Sequence, residues 1–137
     1  MKYITHPTFL LRFALSVVFA AHSVRTILDG SVNDFGKLYL NEAGFAPFGL
    51  LLAWIIKLTH LISVPLLLIN KYLKPVCIAN LFILVVGIFM VHLKEGWFVV
   101  GGGRNGVEFN FVLIFMLLTI LFPNGLKKNK ADSDLIS

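Results

Sequence analysis

The chain has 137 residues and a formal net charge of +5, with 58% hydrophobic and only 14% charged residues. A soluble domain of this length cannot bury so much apolar surface in one core, so a soluble globular enzyme is excluded. The basic residues flank apolar runs and form no single patch, which argues against nucleic-acid binding. The composition predicts a single-domain integral membrane protein whose main partner is the lipid bilayer.

Four apolar runs approach the roughly 20 residues that a helix needs to cross a bilayer. They predict an all-α, four-helix integral membrane bundle, which occupies residues 1–126. The predicted spans are about 8–28, 48–69, 76–93 and 107–122. We expect the basic and polar tail, 127–137, to be disordered. The beginning of the chain also resembles a secretory signal peptide, but the apolar pattern continues past Ala21, which favours a retained span.

Two longer connections separate these spans. Residues 29–47 are too polar to span and too apolar for a free linker, so they predict an interfacial cap. Residues 94–106 form a glycine-rich loop, in which Trp97 is predicted to lie at the level of the lipid headgroups. The loop lacks the preceding strand and the Lys-Ser/Thr ending of a phosphate-binding loop, so that interpretation fails its structural context.

Orientation follows from the distribution of lysine and arginine in the short connections. One side of the membrane receives Lys2, Lys71, Lys74, Lys127, Lys128 and Lys130. On the opposite side, acidic residues offset the cations. Because short cytoplasmic segments are enriched in Lys and Arg, both termini are predicted to be cytoplasmic.

Charged side chains within spans cost several kcal/mol unless paired or hydrated, so they indicate function. The polar set consists of His22 and Arg25 in span one, Lys57 and His60 in span two, His92 at the end of span three, and Glu108 and Asn110 at the start of span four. With alternating helix directions, the set falls in the outer half of the bilayer and predicts a shared polar pocket. Glu108 is the predicted counter-ion of Lys57 or Arg25. The members near the membrane boundary also fit ordinary residues that reach the headgroups.

Metal and cofactor signatures are weak in this sequence. Two histidines across a bundle can ligate a haem iron, but no paired spacing dictates that geometry and we do not expect haem. The histidines and carboxylates are not arranged for zinc, so no metal is predicted. Cys77 lies in an apolar run without a CxxC partner, which predicts an inert buried thiol.

Several motifs together resemble the DoxX family over about residues 10–123. They comprise 11–22 in span one, 52–54 in span two, and 91–98 followed by Gly102, Gly103 and 106–110. The resemblance implies a small multi-pass protein of the bacterial inner membrane, described as an oxidoreductase linked to quinone-reducing subunits. By position it singles out His22, His92, Gly102, Gly103 and Glu108. Members often carry a glutamate in span two, where this chain has Lys57, Thr59 and His60.

Taken together, the polar residues and the resemblance predict a quinone-linked redox component. The predicted catalytic residues, which donate protons, stabilise an anionic intermediate or relay protons, are His22, Lys57, His60 and Glu108. The predicted cofactor-binding residues are Arg25, His92, Trp97, Gly102, Gly103 and Asn110. With no flavin, haem or dithiol signature, the electrons would come from a soluble or membrane redox partner.

Two other functions fit the same sequence. One is a non-catalytic scaffold or assembly subunit of a redox or envelope complex, in which case the chain is not an enzyme. The other is a small transporter or lipid-binding protein that uses Lys57 to hold an anionic headgroup.

Overall fold

The computed structural model describes residues 4–125, and this part of the chain is helical without a strand. The predicted disordered tail at 127–137 lies outside the described residues. The α-helices are α1 (Phe9–Leu28), α2 (Ser31–Asp34), α3 (Gly49–Leu68), α4 (Leu73–Gly87) and α5 (Glu108–Leu121). A π-helical segment, Phe35–Phe45, follows α2 and is interrupted at Gly44, where φ is 104°. α4 continues through a π-helical turn, Ile88–His92, and a 3-10 turn, Leu93–Glu95.

Three helical stretches are long and apolar enough to cross a membrane: Phe9–Leu28, Gly49–Leu68 and Leu73–Glu95. At 1.5 Å of rise per residue they measure about 30 to 35 Å, which matches a hydrocarbon core of roughly 30 Å. Large apolar side chains also cover the outside of the molecule; Leu10 is 76% exposed and Phe82 is 70% exposed. Such an apolar surface is that of a protein surrounded by lipid.

The last helix, α5, has 14 residues and a length of about 21 Å. It is one residue shorter at each end than the predicted span 107–122. Phe122 leaves the helical conformation, with φ −121 and ψ 65, because the ring of the following Pro123 disfavours an α conformation at the residue before it.

The four long helices contact one another around a common core. α3 packs against α1 and α4, and α5 packs against α4 and, less extensively, α1. The core contains Leu15 and Phe19 of α1, Leu67 of α3, Leu84 of α4 and Leu117 of α5. Since connected helices run in opposite directions, residues 29–48 and 93–107 lie at one end of the molecule, here called the loop end. Residues 4–8, 69–72 and 122–125 lie at the other, the tight end.

Arg12 joins α1 to the end of α3 near the tight end. Its side chain is fully buried, and its Nη1 donates to the carbonyl oxygens of Leu67, at 2.6 Å, and Leu68, at 3.2 Å. These carbonyls belong to the last turn of α3, where a helix has unused acceptors and a partial negative charge. Arg12 Nε also donates to Thr8 Oγ1 at 3.2 Å. The arginine therefore clamps the two helices.

A second polar contact joins α3 to α4 in the half of the molecule nearer the tight end. The Asn80 amide, fully buried, donates to Ser63 Oγ at 2.7 Å and to the Val76 carbonyl at 2.8 Å. Hydrogen bonds of this kind fix how neighbouring helices are rotated against each other in an apolar environment.

The connection between α1 and α3 is a packed segment. Val32 and Leu40 are buried against Ala53 of α3. Gly36 approaches the start of α3 so closely that a Cβ there would lie 2.6 Å from Leu50 Cα. Trp54 Nε1 donates to Asn33 Oδ1 at 3.1 Å. The segment is thus held against the loop-end part of α3.

Candidate functional site

Three of the predicted site residues come together where α1 packs on α3. Within this antiparallel pair, the rings of Phe19 and His60 stack with centroids 4.7 Å apart and an interplanar angle of 4°. One turn nearer the loop end, Lys57 Nζ donates to the His22 carbonyl oxygen at 3.2 Å. Lys57 and His22 are both close enough to His60 to act on its ring electrostatically.

His60 is the most unusual side chain of this cluster. It is 9% exposed, and neither Nδ1 nor Nε2 has a hydrogen-bond partner. The hydroxyl of Ser23, on the buried face of α1 one residue beyond His22, is also buried and without a partner. A buried polar group left unpaired costs about 1–3 kcal/mol and calls for an explanation. His60 and Ser23 therefore offer donors and acceptors that the fold does not use.

Lys57 lies between this cluster and the segment at the loop end. Its ammonium group is 5.9 Å from the centre of the Phe35 ring, within cation–π range. Its side chain makes no ion pair with a carboxylate among residues 4–125. The positive charge beside His60 is thus available to a negatively charged group.

Glu108 has a different partner from the one predicted. Its Oε1 accepts a hydrogen bond from the Val99 backbone N–H at 2.7 Å, and within the described residues it pairs with neither Lys57 nor Arg25. The prediction of a Lys57 or Arg25 counter-ion is therefore wrong. The carboxylate ties the loop 96–107 to the first turn of α5, where the helix dipole also favours a negative charge.

The glycine-rich loop folds back on itself. The N–H groups of Gly106 and Glu108 donate to the carbonyls of Phe98, at 3.2 Å, and Trp97, at 3.0 Å. A Cβ on Gly103 would lie 2.6 Å from the Phe98 carbonyl oxygen, whereas a Cβ on Gly102 would meet only the Phe98 ring, at 3.8 Å. The absence of a side chain at Gly103 is thus explained by packing within the loop.

Two further predicted residues also have partners in or beside this loop. The ring of His92 bonds through Nδ1 to the Asn105 carbonyl at 2.6 Å. Trp97 packs edge-on against Phe111 of α5, with ring centroids 5.5 Å apart. The structure does not bring His92, Trp97, Gly102 or Gly103 into contact with His60.

Asn110 of α5 lies in the interior beside the end of α4. It is 8% exposed, and a Cβ on Gly87 would meet its Nδ2 at 3.7 Å. The helix changes from α to π geometry directly after Gly87, a change that is frequent at functional sites. On the same helix, Phe109 packs its ring 6.2 Å from that of His22.

Arg25 lies on the outside of α1. Its Nε is 3.9 Å from Asp29 Oδ2, and its side chain is 87% exposed. The two residues line an open groove of about 500 Å³ together with Ala21, His22, Thr26 and Ser31. Hydrogen bonds from the Ser31 hydroxyl and N–H lower the pKa of Asp29 below its usual value. The groove thus carries a fixed anion beside a cation.

Within residues 4–125, no group of three or more His, Cys, Asp or Glu side chains is placed to hold a metal ion. Cys77 is buried, as predicted, and unpaired.

No protein family, curated protein or solved structure matches this chain.

The sequence pattern predicts no site role for Phe19, Ser23 or Arg12. Thr8, Arg12 and Ser16 recur at intervals of four residues and are all buried, so they share one helical face. This four-residue spacing is the sequence feature that could have identified Arg12 as a residue of the buried face. Phe19 and Ser23 continue the same face towards the loop end, but their residue types carry no distinguishing pattern.

Proposed function

We propose that the chain is a four-helix protein of the bacterial inner membrane that binds a quinone between α1 and α3 and takes part in its reduction. The observation that carries this proposal is the buried His60 ring, whose two nitrogens are unpartnered beside the Lys57 ammonium. The resemblance to the DoxX family supports the same class of protein.

The proposed topology has both termini and the whole tight end in the cytoplasm. Lys71 and Lys74 lie at or next to the tight end, in agreement with the positive-inside rule. α5 is the fourth crossing in this scheme, although its length of about 21 Å requires local thinning of the bilayer or help from flanking apolar residues. Lys57 then lies in the outer half of the membrane, about 12 Å along α3 from its outer end, and His60 lies near the middle.

The unpartnered side chains on α1 and α3 include hydrogen-bond donors of the kind that a quinone ring requires. An aromatic ligand requires an apolar slot and a few donors at its carbonyl oxygens. His60 can donate one hydrogen bond from its ring, and the Ser23 hydroxyl can donate another. Phe19 already stacks on one face of His60, so the imidazole is held in a fixed plane.

The proposed chemistry is the addition of two electrons and two protons to the quinone to give the quinol. A soluble or membrane redox partner supplies the electrons. Lys57 stabilises the negative charge that develops on the quinone oxygen before protonation, because a cation held in place lowers the energy of an adjacent developing anion. His22 is exposed and can exchange protons between water at the loop end and the site.

Native mass spectrometry of the protein extracted gently from its own membrane tests this proposal. We expect the unmodified protein to retain one quinone. Lys57→Ala should lower quinone occupancy by roughly tenfold, since a hydrogen bond to a charged group is worth about 1.5 kcal/mol or more.

Lys71→Ala is the matched control, because Lys71 is an exposed lysine at the tight end whose ammonium contacts the Tyr72 ring. It should leave the quinone bound. Two results would contradict the proposal: a protein that carries only a stoichiometric protein partner, which would indicate a scaffold, or equal quinone occupancy in both variants.

A further inference from the structure

A second feature of the loop end is a groove that shares only His22 with the proposed quinone site. The groove on α1 holds a cation and an anion side by side: Arg25 and Asp29, separated by 3.9 Å. The distance is long for a direct hydrogen bond, and the Arg25 side chain is almost fully exposed. Most of its five N–H donors therefore remain available to an external acceptor. The imidazole of His22 also lines this groove.

The surface that continues from this groove is apolar. Leu10, Phe13, Val17, Val24 and Leu28 are exposed and follow one another at helical spacing along α1. Ala21, which lines the groove, falls between Val17 and Val24 on this stripe. The stripe reaches most of the way from the loop end to the tight end, and it lies in one of the helices that are long enough to cross a membrane.

We propose that this groove and stripe bind one phosphatidylethanolamine molecule, with the phosphate on Arg25, the ammonium group on Asp29 and an acyl chain along α1. Arginine at the boundary of the hydrocarbon core is well suited to a lipid phosphate. A carboxylate within reach of that phosphate site matches the adjacent primary ammonium group, which is a hydrogen-bond donor with three protons.

The same geometry discriminates against other common headgroups. The trimethylammonium group of phosphatidylcholine has no N–H to donate to Asp29. Phosphatidylglycerol places a phosphate near Asp29 but supplies no cation to balance the carboxylate. Asp29 remains ionised near neutral pH, because its hydrogen bonds with Ser31 favour the charged form. Specificity for phosphatidylethanolamine therefore has two sources. Asp29 attracts its ammonium group, and Asp29 repels a phosphate that has no cation beside it.

Lipid titration of the delipidated, full-length protein in mild detergent tests this inference, with native mass spectrometry as the readout. The lipids are phosphatidylethanolamine, phosphatidylglycerol and phosphatidylcholine with identical acyl chains. We expect phosphatidylethanolamine to bind about fivefold more tightly than either of the others, as for a partly exposed ion pair. Soluble phosphoethanolamine should compete poorly, because it lacks the chains that cover the stripe.

Two variants separate the roles of the charges. Arg25→Ala should weaken binding of all three lipids, whereas Asp29→Asn should remove the preference for phosphatidylethanolamine and leave phosphatidylglycerol bound at least as well. The matched controls are Arg104→Ala and Asp34→Asn, which alter an exposed arginine and an exposed aspartate elsewhere at the loop end; neither should change the affinities.

Three outcomes would overturn the inference: an unmodified protein that binds the three lipids equally, an unchanged preference in Asp29→Asn, or competition by soluble phosphoethanolamine as strong as by the lipid. None of them bears on the quinone proposal, because Arg25 and Asp29 make no contact with His60.

Discussion

Replacing Arg12 with alanine is expected to lower the free energy of unfolding by about 3 kcal/mol, since the charged hydrogen bonds of a buried group are lost. The substitution leaves the carbonyls of Leu67 and Leu68 without their buried donor. It also removes a positive charge from the C-terminal end of α3, where the helix dipole favours a cation. The clamp between α1 and α3 is broken at the tight end, and the cavity left by the side chain adds to the loss.

Unfolding in mixed micelles, followed by the fluorescence of Trp54 and Trp97, measures this effect. Arg12→Lys should retain part of the stability, because an ammonium group reaches fewer acceptors than the planar guanidinium. Arg104→Ala removes an exposed loop arginine and should change stability by less than about 0.5 kcal/mol. If Arg12→Ala unfolds at the same denaturant concentration as the unmodified protein, the clamp does not contribute to stability.

Replacing His60 with phenylalanine is expected to abolish the proposed quinone binding while making the protein more stable by about 1 kcal/mol. Phenylalanine has a similar shape and preserves the stack on Phe19, but it removes two buried nitrogens that have no partner in the fold. A residue kept for folding alone would not show this combination. A substitution that abolishes function and raises stability indicates a residue that is retained for function at a cost in stability.

The test of this prediction combines the unfolding assay with quinone occupancy. Leu58→Phe serves as the control, because Leu58 is an exposed apolar residue on the same helix; it should leave both quantities unchanged. A His60→Phe protein that is less stable and still carries quinone would show that the imidazole has a structural role. His60 would then not be a quinone-binding residue.

The helices themselves were largely predictable from the sequence. The predicted spans 8–28 and 48–69 differ from α1 and α3 by at most one residue at each end, because long apolar runs bounded by Pro and Asn are strong signals. α4 begins at Leu73, three residues earlier than predicted. Proline is tolerated in the first turn of a helix, so Pro75 did not mark its first residue.

The contacts of the candidate site were predicted only in part. Lys57 and His60 were identified because a polar group within an apolar span is costly at any rotation of the helix. The hydrogen-bond partner of Glu108 was not predicted, because it depends on the path of the loop 96–107, which hydropathy does not encode. The rotations of α3 and α4 cannot be read from helices that are apolar around their circumference. The hydrogen bond between Asn80 and Ser63 fixes these rotations, and only the structure shows that the two side chains meet.

In the proposed topology the chain crosses the membrane four times with the loop end outside, which places Lys57 in the outer half and His60 near the middle. Single cysteines in a Cys77→Ser background, labelled in whole cells with an impermeant maleimide, test it directly. We expect Arg104→Cys to react from outside, and Lys71→Cys and Asn124→Cys, both exposed at the tight end, to react only after permeabilisation. Labelling of Asn124→Cys from the same side as Arg104→Cys would show that α5 does not cross, and would contradict the account.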